Sequence, residues 1–146
     1  MNDLNIEEIK LKLKNSVSSK IYEHCLRTMD ESIKLAIKYD EDINKAKIAG
    51  LLHDCGKLIN KNVGNLEHSI LGAELAKNNY LIEDVDILNA IRYHTTGREA
   101  MTMLEKIVFI ADKIEPNRSY PGVEEMRLLA YDNIDKAIIK SLRSTI

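Results

Sequence analysis

A chain of 146 residues, 45% apolar and 30% charged, can bury one hydrophobic core without disulfide or metal staples. Its formal net charge of −2, with basic and acidic residues interspersed, offers no electrostatic footprint for a nucleic-acid partner. Met1 to Lys10 is acidic and polar, and no apolar run approaches the roughly 20 residues of a membrane helix, so a soluble, cytoplasmic protein with no membrane attachment is expected.

Two prolines and six glycines interrupt the chain rarely, which favours long helices. With no Trp and one Phe, the core has to be built from Ile, Leu, Val, Ala and Met. Periodicity predicts seven helices and no strand. The first starts at Leu4 and ends near Asn15–Ser16. The second runs from Ser19 to Tyr39, its inner stripe reading Ile21, His24, Cys25, Thr28, Leu35 and Tyr39. Asp42 is placed to cap the third, which carries Ile43, Ala46, Ala49, Gly50, Leu52 and His53, with Gly56 as its stop. Ile59 to Glu67 is a polar connection. The fourth helix covers Leu66 to Asn78 and the fifth Asp84 to His94. Thr102 opens the sixth with Glu105 three residues on, a capping box, and Pro116 ends it. Pro121-Gly122 makes a turn, and Glu124 to Ile146 is helical with a break near Asp132–Asn133. The expected architecture is all-α: one domain over residues 1–146, a bundle of about six to eight helices.

Polar residues on apolar helical faces carry the functional information. His24 lies three residues after Ile21 and four before Thr28. His53 follows Ala49 by four and Gly50 by three. His94 follows Ala90 by four and Ile91 by three, and Asp112 follows Val108 by four and Phe109 by three. An inward carboxylate is costly unless it is paired or bound to a cation. Asp54 and Asp112, with histidines beside them, are relieved together by one divalent transition metal, for which neutral imidazoles and carboxylates are ordinary ligands. His24, His53, His68 and His94 are all the histidines of the chain, and all fall in or beside these positions. Cys25 and Cys55 show no zinc-ligand spacing and read as buried small hydrophobes in a reducing compartment.

The string AGLLHDCGK, Ala49 to Lys57, resembles the signature of the HD-domain metal-dependent phosphohydrolases, whose pattern of an upstream His, an HD pair and a distant Asp is met by His24, His53-Asp54 and Asp112. ILNAIRYHTTGR, Ile87 to Arg98, and LEKIVFIADKIEPNRSYPGVEEMRLLA, Leu104 to Ala130, are similar to the YqeK-type HD proteins, as is HSILGAE from His68. That resemblance implies a helical HD fold, an iron-type metal site, and symmetrical bis(5'-nucleosyl)-tetraphosphatase activity that converts diadenosine tetraphosphate to two ADP. The metal ligands are then His24, His53, Asp54 and Asp112, with iron the first expectation and manganese, cobalt or zinc also suited. His68 and His94 are expected to contact the nucleotide or to hold a second metal.

Further roles follow from chemistry and position. Asp54 and Lys57 are the expected catalytic residues, Lys57 holding a phosphate or the leaving group. Thr95 and Thr96 sit at a helix end where hydroxyls can meet phosphate oxygens, and Arg98 and Arg118 are candidate phosphate forks. The substrate-facing set is His24, Asp54, His68, His94, Thr95, Asp112 and Arg118. Tyr93 and Tyr120 are candidates to stack on adenine. Glu105, Glu115 and Glu124 read as cap, surface or supporting residues. Two competing readings share the same scaffold: another HD-type nucleotide phosphohydrolase or phosphodiesterase, and a non-catalytic nucleotide-binding module. Homodimerisation through a helical face is compatible with the pattern, though no motif specifies it.

Overall fold

Asn5 accepts from the backbone N–H groups of Glu7 and Glu8 and so opens α1, Ile6–Ser16. The same device recurs along the chain. Ser18 caps α2 (Ser19–Lys38), Asp42 caps α3 (Ile43–Leu52), and Asp84 caps α5 (Val85–Arg92). Thr102 caps α6 (Met103–Ile114) by accepting from the N–H of Glu105. Two helices start behind glycine instead: α4 (Asn65–Asn78) after Gly64, and α7 (Val123–Asp132) after Gly122, whose φ of 91° suits a residue without Cβ. Asn133 ends α7 in extended backbone, and its side chain accepts from the N–H of Lys136 to start α8 (Ile134–Ser144). The eighth helix therefore arises from the break expected near Asp132–Asn133. This computed structural model describes residues 5–60 and 64–144, and among them there is no strand and no helix long and apolar enough to cross a membrane. The expected start at Leu4 and end at Ile146 lie outside the described residues.

Helices α2, α3, α5 and α6 pack around one core, with α4 against α5 and α8 against α6. Leu35, Leu51, Leu52, Ile91, Ile107, Val108 and Ile110 are buried there, and each such side chain contributes about 1.5–3 kcal/mol of transfer free energy. The α2–α3 crossing is close. A Cβ on Gly50 would lie 2.6 Å from Ser32 Oγ and 3.0 Å from the Met29 Cα, so only glycine permits that approach.

Two boundaries depart from the sequence expectation, and both matter for the site. Helix α3 ends at Leu52, with His53 as its C-cap, rather than running to Gly56. The next residues form tight turns, Cys55 N–H bonding to the Leu52 carbonyl and Lys57 N–H to the Asp54 carbonyl, each at 3.0 Å. The cause is α4: a Cβ on Gly56 would stand 2.1 Å from the His68 carbonyl oxygen, so the chain bends against the α4 backbone there. Helix α5 likewise ends at Arg92, leaving His94 in the following turn. Lys57 accordingly lies beyond the helix, in the turn that follows it. The capping box of α6 is half-formed, because the Glu105 carboxylate is bonded to Arg98.

Candidate metal centre

Four imidazoles converge from four segments: His24 from α2, His53 from the end of α3, His68 from α4 and His94 from the turn after α5. All are buried, as is Asp54, while Asp112 on α6 is mostly covered. The outward ring nitrogens settle the tautomers. His53 Nδ1 lies 2.7 Å from the Gly50 carbonyl, His94 Nδ1 2.7 Å from that of Ile91, and His68 Nδ1 3.3 Å from that of Gly64. A carbonyl only accepts, so each Nδ1 carries the hydrogen. His24 Nδ1 donates to the Glu115 carboxylate at 2.7 Å.

The Nε2 atoms therefore point lone pairs inward, where they meet more acceptors. His24 Nε2 and His53 Nε2 are 3.1 Å apart, and both approach Asp112 Oδ1, at 2.8 and 3.2 Å. His68 Nε2 and His94 Nε2 are 3.2 Å apart and face Asp54 Oδ1 at 3.2 and 3.1 Å. The other oxygen, Asp54 Oδ2, faces His53 and His24 at 3.4 and 3.5 Å. Two ligand sets result, one of His24, His53, Asp54 and Asp112 and one of Asp54, His68 and His94, with ligand atoms in each set within 4.8 Å of one another. Asp54 belongs to both through different oxygens.

Converging acceptors with two carboxylates among them require positive charge. Ligands about 2.1 Å from one ion and at right angles to each other lie about 3.0 Å apart, the separation seen here. Without a cation the two carboxylates favour a proton instead: burial disfavours a charged ring at His53, yet Asp54 and Asp112 outweigh it and hold its pKa up to about 10. Burial pushes the carboxyls of Asp54 and Asp112 up, but the facing imidazoles hold both well below the usual carboxylate range. Burial lowers His94, which keeps its ring neutral. A divalent cation fits this donor set.

Around the two sets the expected residues separate. Lys57 Nζ is 3.6 Å from Asp54 Oδ2, its side chain 39% exposed. Arg118 reaches the site through its own neighbour: Nη2 donates to Asp112 Oδ1 at 2.9 Å and Nε to the Asp112 carbonyl at 2.7 Å. Thr95 Oγ1 lies 3.3 Å from His94 Nε2 and 2.6 Å from Ser69 Oγ, whereas Thr96 Oγ1 turns to the Gly97 carbonyl. The Arg98 fork is engaged by buried Glu105 at 2.8 and 2.7 Å, and its guanidinium stacks 4.4 Å from the Tyr93 ring centroid. Tyr120 donates its hydroxyl to the Lys113 carbonyl, and Glu124 pairs with Arg127 at the surface.

Glu115, one of the three glutamates read as cap, surface or supporting residues, is a buried carboxylate that orients His24 and also accepts from Arg27 Nε at 2.9 Å. Its spacing of three from Asp112 was the available signal. Ser69, beside His68, links the α4 and α5 sides of the site. Lys113 places its ammonium 3.6 Å from the Phe109 ring centroid, and burial lowers its pKa. Cys25 and Cys55 are free and buried, as expected.

The chain matches the HD domain model over residues 21–117. It is 37% identical to the symmetrical bis(5'-nucleosyl)-tetraphosphatase of Bacillus subtilis over 97% of this chain and 86% of that protein. It is 39% identical to the enzyme of the same name from Staphylococcus aureus, over 98% and 84%. Among solved structures it is similar to a predicted HD superfamily hydrolase involved in NAD metabolism from Clostridium acetobutylicum, with a TM-score of 0.90 and 38% identity, covering 99% of this chain and 86% of that one.

Proposed function

Since this chain belongs to the HD domain family, we propose that it is a metal-dependent phosphohydrolase that cleaves diadenosine tetraphosphate symmetrically to two ADP. The observation that carries the metal chemistry is the convergence of four Nε2 lone pairs on the carboxylates of Asp54 and Asp112. The substrate rests on the likeness to tetraphosphatases along nearly the whole chain.

In this reading His24, His53, Asp54 and Asp112 hold the first divalent ion, iron by preference and manganese, cobalt or zinc as alternatives. His68, His94 and the second oxygen of Asp54 hold a second one. The bound metal supplies a water of lowered pKa and neutralises phosphate charge. The protein does the positioning. Asp54 ties both sets together, so its replacement removes a ligand from each. Glu115 keeps the His24 Nδ1–H oriented and its Nε2 directed inward. Arg118, Lys57 and Thr95 border the site and are assigned to the polyphosphate oxygens, where forked and point cations and a hydroxyl can bind. Water adds to one of the two central phosphorus atoms, the bond from that phosphorus to the central bridging oxygen breaks, and one ADP leaves as the other is completed. Phosphoryl transfer asks mainly for such placement and charge neutralisation. The two buried free thiols suit the reducing cytoplasm to which we assign the protein.

Product analysis tests the reading. Metal-depleted protein is expected to be inactive and to regain turnover with Fe2+ or Mn2+, giving ADP as the sole nucleotide from diadenosine tetraphosphate. AMP plus ATP would overturn symmetrical cleavage. Turnover that survives complete metal removal, or Asp54→Ala retaining wild-type activity, would overturn the metal site.

A further inference from the structure

Helix α6 ends at Ile114, and Pro116 follows closely, so the last carbonyls of the helix lack partners from the continuing backbone. Arg118 Nε serves the Asp112 carbonyl and the Tyr120 hydroxyl that of Lys113, while one side chain on α7 serves Ile114 and the loop beyond it. Arg127 donates from Nε to the Ile114 carbonyl at 2.9 Å, and from Nη2 to the carbonyls of Glu115 and Arg118 at 2.8 and 2.9 Å. Its third nitrogen, Nη1, pairs with Glu124. A cation here also opposes the negative end of the α6 dipole. The loop is closed internally by Arg118 N–H bonding to the Glu115 carbonyl at 2.9 Å.

Both residues whose carbonyls Arg127 grips in this loop reach the metal centre with their side chains. Glu115 Oε2 accepts from His24 Nδ1, and Arg118 Nη2 donates to Asp112 Oδ1. His24 and Asp112 belong to the same ligand set. Helices α6 and α7 pack only lightly against each other, and the guanidinium ties α7 to the end of α6 and to the loop that follows it. We propose that Arg127 is a positioning residue of the metal centre: it holds loop 115–118 so that Glu115 orients His24 and Arg118 rests on Asp112. It touches neither ligand set directly.

The proposal rests on the metal reading of the site, and its test keeps the two apart. Mn2+ is titrated calorimetrically into the metal-depleted full chain, and steady-state kinetics with diadenosine tetraphosphate follow. Arg127→Gln is expected to bind Mn2+ about 10–100-fold more weakly, the range found when the partner of a ligating histidine is lost, with a comparable fall in kcat/KM. Arg127→Lys keeps the charge but cannot span the carbonyls, and should recover only part of both. In a Glu115→Gln, Arg118→Ala background, adding Arg127→Gln should cost less than about threefold more, since its route to the metal is already cut. A purely structural role would instead lower the thermal midpoint, leave Mn2+ affinity unmoved and add in full on that background, and any of these readings of affinity or additivity overturns the proposal. If Arg127→Gln does not fold, Arg127→Lys decides, with wild-type Mn2+ affinity and kcat/KM counting against. A wild-type chain that takes up no Mn2+ overturns the metal reading and the proposal together, whereas tight wild-type binding with unaltered variants overturns the proposal alone.

Discussion

His68 and His94 face each other with Nε2 atoms 3.2 Å apart, while both Nδ1 atoms are turned away onto backbone carbonyls. No hydrogen lies between the two inner nitrogens in that arrangement, so the pair is stable only around a shared cation or with a proton taken up. The carboxylate oxygen facing it is Asp54 Oδ1, which leaves Oδ2 to the other set. Removing one ring should therefore empty one position and spare the other. His94→Ala is expected to lower bound metal by about half relative to the unsubstituted protein, measured by elemental analysis after dialysis. Unchanged metal content in His94→Ala would rule out ligation by this pair.

Gly56 is where α4 meets the turn that bears Asp54. A Cβ there would stand 2.1 Å from the His68 carbonyl oxygen and 2.8 Å from the Gly72 nitrogen, both backbone atoms that cannot swing aside. Gly56→Ala should destabilise the fold by about 2–3 kcal/mol and shift Asp54 relative to His68, lowering activity as well. Chemical denaturation and turnover measure the two effects separately, and a variant of wild-type stability would contradict the close approach.

The Arg98–Glu105 fork anchors the turn that carries His94, Thr95 and Thr96. Glu105 is 1% exposed, so losing its partner leaves a buried carboxylate unmatched. Arg98→Ala should lower stability in denaturant unfolding, because the buried Glu105 carboxylate loses its partner. Adding Glu105→Gln to it should return part of that loss, because the uncompensated charge is then gone. A double variant no more stable than Arg98→Ala would argue that the fork contributes through packing on Tyr93 instead.

The thiols give a prediction with a definite sign. Burial raises Cys55 to about 12, and burial together with Asp54 and Cys55 raises Cys25 well above its ordinary value. A raised pKa keeps each group as the unreactive thiol until pH climbs far above neutrality. Native protein should resist a thiol-reactive chromogenic disulfide between about pH 7 and pH 9, and react at both cysteines once unfolded. Prompt labelling of the folded chain near neutral pH would show that these sites are accessible.

The helices were legible in the sequence because their signals are local. Asn5, Ser18, Asp42, Asp84 and Thr102 all sit at or beside expected starts, and each caps through its own neighbouring N–H groups. The inward histidines and Asp112 were legible for a related reason: a polar residue at apolar spacing is anomalous wherever the helix packs. Even the break at Asn133 follows from one residue, whose extended backbone ends one helix and whose side chain starts the next.

What depended on tertiary structure is everything set by approach between distant segments. The end of α3 at Leu52 answers to α4 pressing on Gly56, and that bend aims Asp54 at two pairs of imidazoles at once. The engagement of Arg98 by Glu105, of Arg118 by Asp112, and of His24 by Glu115 could not be assigned from spacing, because an arginine or histidine reaches many partners of opposite charge. Residue type and periodicity determined which side chains face inward. Only the packed backbone decided which of their atoms meet, since that depends on helix ends and crossings that no local segment specifies.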